Sequence, residues 1–256
     1  MTDMLWDMHI HLDFFRDARE TAREAEALGL GLFAASVTPQ EYEESSKILS
    51  GAPNVRTAVG LHPWWIADGR CGENDVSRVT ELLRNTRYAG EIGLDASPKH
   101  VPPDSLDRQK SAFEKICRVC ALTSTPDAPK ILSIHSVKSA GLVLDILAGA
   151  GCLANCRCIF HWFTGSNEDL TRAVRSGCMF SVNGMMLGTR RGREYARQIP
   201  ADRLLLETDL PPGRDVPMTA REILDNLEST LEELRLIRGA DMRAVICGNS
   251  ARLLCH

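Results

Sequence analysis

Met4-Leu5-Trp6-Asp7-Met8-His9-Ile10-His11 is an apolar run that ends in two histidines. It reads as a buried strand, and along a strand side chains two apart share a face. His9 and His11 therefore project together, about 7 Å apart at the backbone for a rise of about 3.3 Å per residue. Two imidazoles in that arrangement can grip one divalent ion. They can equally pair with nearby carbonyls, so their meaning depends on what the rest of the chain supplies.

Working outward, the same unit recurs. Apolar strand candidates follow at 29–37, 55–61, 88–95, 130–136, 158–163, 178–182 and 204–209. Helical patterns separate them at 17–28, 39–49, 76–85, 105–122, 141–150, 167–176 and 191–198, and two more close the chain at 219–237 and 242–254. Strands alternating with helices predict a parallel sheet with helical crossovers. Eight such units in this length predict a closed (β/α)8 TIM barrel, with a doubly wound sheet as the alternative. No internal repeat, low-complexity tract or linker interrupts the pattern, so a single domain over 1–256 is expected.

The composition is that of an ordinary soluble globular protein: 256 residues, 44% hydrophobic and 25% charged. A formal net charge of -4 supplies no global basic field for coating nucleic acid or an anionic membrane. A phosphodiester substrate stays compatible with it, because bound metal brings positive charge locally. Nine cysteines with one lone CxxC, Cys117 and Cys120, read as reduced and mostly buried thiols. With no leader-like amino terminus and no apolar run of about 20 residues, the expectation is a cytoplasmic protein without a membrane span.

Side chains at the carboxyl ends of barrel strands converge on one mouth. Strand one ends in His9 and His11, strand three in His62, and strand eight in Asp209. Strands four, five and six carry Glu91, His135 and His161. Five of the seven histidines thus fall at the predicted catalytic face, which scattered core histidines would not do. Setting His62 aside, four imidazoles and two carboxylates meet the ligand demand of two divalent ions.

Several motifs make the pattern specific. They are Asp7-Met-His-Ile-His11, Gly60-Leu-His-Pro63, Gly90-Glu-Ile-Gly-Leu-Asp95, Ile134-His135-Ser136, Phe160-His-Trp-Phe-Thr-Gly-Ser166, Phe180-Ser181 and Leu205-Leu-Glu-Thr-Asp209. The close, Gly248-Asn249-Ser250-Ala-Arg252-Leu-Leu254, fits the same series. In this order, and over nearly the whole chain, they resemble the TatD family of metal-dependent deoxyribonucleases, barrels of the amidohydrolase type. The resemblance implies that His9, His11 and Asp209 hold a first ion and His135 and His161 a second, with Glu91 bridging. It implies two divalent ions per chain (Zn, Mn or Mg), an activated water as nucleophile, and Asp209 as general base. It places His62 on the scissile phosphate or leaving group. The implied reaction is 3′–5′ exonucleolytic cleavage of single-stranded DNA ends.

The chain departs from the family pattern near the substrate. Ala96-Ser97 stands where an aromatic pair is common, and Val137 where an arginine is common, leaving neighbouring Lys138 as the expected phosphate contact. Trp162 is bulkier than usual, and Trp64-Trp65 follows His62-Pro63. Trp64 is expected either to stack a base or to pack a loop over the mouth. Arg190 and Arg191, after strand seven, are expected at phosphates, with a solvated basic helix face as the alternative. Gly60, Gly90 and Gly93 read as close backbone packing. Met185, Met186 and Leu187 read as core or lid packing. The divergence resembles TatD-like members of antiphage defence clusters, which would make other proteins of such a cluster its partners. Two alternatives stand beside the nuclease: a metal-dependent hydrolase of a small ester, amide or modified nucleotide, and a non-catalytic barrel subunit.

Overall fold

The computed structural model describes residues 4–254; the first three residues, read above for a leader, and Cys255 lie outside them. The elements run β1 (Leu5–Ile10), α1 (Ala18–Ala27), β2 (Leu30–Ala35), α2 (Pro39–Ile48), β3 (Val55–Ala58), α3 (Pro63–Ala67), α4 (Glu73–Leu82), β4 (Tyr88–Asp95) and α5 (Leu106–Thr123). They continue with β5 (Ile131–Val137), α6 (Ala140–Ala150), α7 (Cys152–Asn155), β6 (Arg157–His161), α8 (Asn167–Arg175), β7 (Met179–Val182) and α9 (Gly184–Leu187). Last come α10 (Arg190–Gln198), β8 (Leu204–Leu206), α11 (Ala220–Arg238) and α12 (Arg243–Leu254). The expected alternation is present. The chain forms two compact units, one of residues 1–34, 43–57 and 180–256, the other of residues 35–42 and 58–179.

In the first unit β1 and β2 pair in parallel, Leu5 opposite Leu30 and Asp7 opposite Leu32. β7 and β8 also pair in parallel, Phe180 opposite Leu204 and Val182 opposite Leu206. Beyond the end of β8, Asp209 N donates to His9 O at 2.9 Å, and His11 N donates to Leu210 O at 2.8 Å. These two bonds tie the histidine run to Asp209. The closing motif serves this junction from behind. On α12, Asn249 Nδ2 donates to Leu204 O at 2.7 Å and to Ala201 O at 2.9 Å. Thr219 and Glu222 start α11 with a reciprocal capping box, and Gly239, at φ +68°, ends it. Ile10, Leu32, Phe180, Leu205, Leu227 and Ile246 are among the buried side chains, each contributing about 1.5–3 kcal/mol.

The second unit is built on β4, β5 and β6, all parallel, with Gly93 opposite His135 and Ile134 opposite Phe160. Residues 36–37 and 59–62 run beside β4. Ser36 N donates to Gly90 O, Glu91 N to Ser36 O, Leu61 N to Glu91 O and His62 N to Val37 O, all at 2.9–3.0 Å. Glu91 and His62 are therefore set by main-chain bonds. α5 lies against β4 and α6. Every described cysteine is free and buried, as expected. Burial pushes the Cys120 and Cys158 thiols well above their ordinary range, so they stay protonated.

Four strands end earlier than the apolar pattern predicts: β2 at Ala35, β3 at Ala58, β6 at His161 and β8 at Leu206. The run at 158–163 forms β6 only to His161, because Trp162 takes a φ of +39°. The run at 204–209 forms β8 only to Leu206, and Asp209 takes a φ of +58°. Left-handed backbone at a non-glycine residue costs roughly 1–2 kcal/mol and breaks strand pairing. Here it falls at or beside two candidate ligands. The helices α3, α7 and α9, each of five residues or fewer, are too short to show as periodicity. No helix among the described residues is long and apolar enough to cross a membrane.

Candidate active site

In the first unit His9 is the last but one residue of β1, and His11 lies one residue past the strand. Their Nε2 atoms lie 3.8 and 3.6 Å from Asp209 Oδ1. Those separations exceed a hydrogen bond. They approach the spacing of about 3.4 Å between ligands that share an ion tetrahedrally at about 2.1 Å. Behind them Asp7 is fully buried; its Oδ1 accepts His9 N at 3.2 Å and Thr208 N at 3.0 Å, and its Oδ2 bonds Thr208 Oγ1 at 2.5 Å. Burial, opposed by those hydrogen bonds, pushes the Asp7 carboxyl up to about 8. Glu207, also fully buried, bonds Ser181 and Asn183. Asp7, Ser181 and Glu207 thus shape the ends of β1, β7 and β8. They lie inside motifs visible in the sequence, but nothing there distinguishes an inner carboxylate from an outer one.

In the second unit three imidazoles converge on one oxygen. Glu91 Oε1 is 2.7 Å from His135 Nδ1, 2.9 Å from His161 Nε2 and 3.2 Å from His62 Nε2, and Glu91 is 2% exposed. Burial works against a charge on His135, but Asp95 and Glu91 outweigh it and raise its pKa. This nitrogen and oxygen donor set suits a divalent transition ion. His135 also has what a ligating imidazole usually needs, a carboxylate on its other nitrogen: Asp95 Oδ2 is 3.2 Å from its Nε2. His62 differs. Its Nδ1 accepts Trp64 N at 3.1 Å, which leaves the ring proton on Nε2. That nitrogen is a donor and not a neutral metal ligand, although it stands close enough to Glu91 and His135 to share an ion.

Asp95 is the residue that sequence reasoning missed. Fully buried, it accepts Ser97 N on Oδ1 at 2.7 Å and, on Oδ2, Trp64 Nε1 at 2.7 Å, His100 Nδ1 at 2.9 Å and His135 Nε2 at 3.2 Å. Burial opposes its ionisation, yet these donors hold the carboxyl well below the usual range. A signal was available: Asp95 follows Glu91 by four residues on one strand, so both face the same side. Trp64 is half-buried and spends its indole N–H on Asp95. Trp64→Phe therefore removes one donor from a buried anion and lowers stability by about 2 kcal/mol in a urea titration near neutral pH. An unchanged midpoint would make the ring a mere stacking surface. Lys138 is exposed just past β5 at φ +52°. In the first unit Arg190 and Arg191 open α10, exposed, with Arg191 5.6 Å from the Tyr195 ring.

A model of the family described as TatD related DNase matches residues 6–254. The chain belongs to that family. It is a metal-dependent hydrolase family acting on phosphodiester bonds, and this TatD-related chain is a hydrolase of that class. It is 26% identical over 261 residues to the 3′–5′ ssDNA/RNA exonuclease TatD of Citrobacter rodentium, covering 96% of this chain and 95% of the relative. It is 30% identical over 201 residues to deoxyribonuclease Tat-D of Schizosaccharomyces pombe, covering 72% and 61%. Among solved structures, the TatD homologue YJJV from Escherichia coli K12 matches all of both chains with a TM-score of 0.79 at 19% identity. A TatD family hydrolase from Entamoeba histolytica matches 99% of this chain and 98% of its own with a TM-score of 0.77 at 17% identity. The fold class is thus the α/β class of TatD proteins, with the parallel strands in one sheet of three, β1 to β3, and one of five, β4 to β8.

Proposed function

We propose that this TatD-related chain is a metal-dependent 3′–5′ exonuclease acting on single-stranded ends of DNA, and of RNA as a second substrate. The convergence of His135, His161 and His62 on the buried Glu91 carboxylate is the observation that carries the reading. His135, His161 and Glu91 would hold one divalent ion; His9, His11 and Asp209 would hold another. Such ions supply Lewis acidity toward a phosphoryl oxygen and lower the pKa of a bound water.

The chain's own groups do the rest. Asp209, an ionisable carboxylate about one-fifth exposed, accepts the proton of the attacking water. His62, with its proton on Nε2, donates to a phosphate oxygen and needs no metal for that role. Arg190, Arg191 and Lys138 contact phosphates of the strand. Two cationic side chains in the first turn of α10 are disfavoured by the helix dipole, and an anion there would relieve this. Trp64 offers its partly exposed ring to a terminal base.

The test uses the full chain stripped of metal with a chelator and a 5′-labelled single-stranded oligonucleotide. The stripped protein is expected to be inert. Mn²⁺, Zn²⁺ or Mg²⁺ is expected to restore a ladder that shortens from the 3′ end. No cleavage with any of these ions from mildly acid to alkaline pH would reject the proposal, and turnover confined to small esters would move the substrate away from nucleic acid.

A further inference from the structure

His100 plays no part in the family motifs or in the roles assigned above. It lies in the segment between β4 and α5, and its side chain is 39% exposed while its partner Asp95 is fully buried. Asp95 is an acceptor, so the 2.9 Å contact is made by His100 Nδ1–H. That fixes the ring and leaves Nε2, which bonds no other described residue, as its working edge. The ring also lies against Trp64, with centroids 5.1 Å apart.

Two further observations give the arrangement a use. The Asp95 oxygen that holds His100 also holds His135, so a single carboxylate oxygen separates His100 from a candidate metal ligand. Asp95 also takes donors from Trp64, Ser97 and His135, so the His100 contact orients the imidazole as well as serving the carboxylate. A half-exposed imidazole oriented by a buried carboxylate is the pairing that positions the histidine of a Ser-His-Asp triad for proton transfer.

We propose that His100 is a further catalytic residue, the proton donor to the sugar oxygen that departs when the phosphodiester is cut. Resting on the nuclease reading above, the step balances as follows. Water oxygen bonds to phosphorus and yields its proton to solvent. The bond from phosphorus to the sugar oxygen breaks, and that oxygen keeps the electron pair. It takes a proton from Nε2 of His100 and becomes a hydroxyl. His100 then regains a proton from solvent.

The experiment compares His100→Ala and His100→Gln with wild type in single-turnover assays on two substrates. One is a single-stranded oligonucleotide; the other is the p-nitrophenyl ester of thymidine 5′-phosphate, whose leaving group departs without a proton. Both variants are expected to lose about a hundredfold or more on the oligonucleotide and less than about threefold on the nitrophenyl ester. Retained activity on the ester also shows that the variants fold. A loss shared equally by both substrates, or a loss below about tenfold on the oligonucleotide, would overturn the proposal. A wild-type protein inert toward the oligonucleotide overturns the nuclease reading itself, and this one with it, before any variant is read.

Discussion

Glu91→Gln is expected to lower phosphodiester hydrolysis at least about a thousandfold, about 4 kcal/mol in activation free energy, while the protein stays folded. The substitution keeps the size and shape of a side chain that is 2% exposed, so packing is preserved. What it removes is the negative charge on the oxygen that faces His62, His135 and His161 at 2.7–3.2 Å. An amide is a poor ligand for a divalent transition ion beside imidazoles, and its N–H groups cannot replace the charged carboxylate oxygen as acceptor and ligand. The variant should therefore lose bound metal by mass spectrometry of the metal content, while its circular dichroism spectrum matches wild type. Rates within tenfold of wild type would remove Glu91 from the chemistry.

Gly60→Ala is expected to cost at least about 3 kcal/mol of stability, which for a chain of this size lowers Tm by roughly 6–12 °C. A Cβ at this position would lie 1.6 Å from Ser36 O and 2.7 Å from Glu91 N. These are main-chain atoms, so no rotamer change can absorb the clash. Ser36 O is also the acceptor for Glu91 N at 2.9 Å, so any backbone shift that makes room moves Glu91. Activity should fall with stability and not return on adding metal. Gly149→Ala is the matched control: it lies in α6 with open space around its Cβ position. There the change is expected to be neutral or to stabilise by up to about 1 kcal/mol. Thermal melts of the two variants beside wild type decide the matter, and a Gly60→Ala melt matching that of Gly149→Ala would refute it.

Much of this molecule could be read from one dimension. Strand and helix periods are local, so alternation alone predicted the parallel α/β class that the TatD structures share. The same period placed His9, His11, His135, His161 and Asp209 at or near strand ends, because apolar runs stop where polar residues begin, and set Glu91 within the fourth strand. The close packing read at Gly60 and Gly93 is likewise found, with a Cβ at Gly93 falling 2.1 Å from His135 O.

What the chain could not disclose by itself are properties of partners distant in sequence. Strands β6 and β8 end where Trp162 and nearby Asp209 adopt left-handed backbone, a conformation Asp tolerates but a bulky Trp takes only under tertiary packing. The tautomer of His62 follows from the N–H of Trp64 at the start of α3, a helix too short to announce itself. Asp95 became a hub only when β4, β5, α3 and the segment before α5 brought His135, Trp64 and His100 to one oxygen. Hydrophobic pattern tells which side of a strand faces inward. It does not tell which buried carboxylate finds donors enough to stay ionised, because that balance of burial against hydrogen bonds exists only in the folded chain.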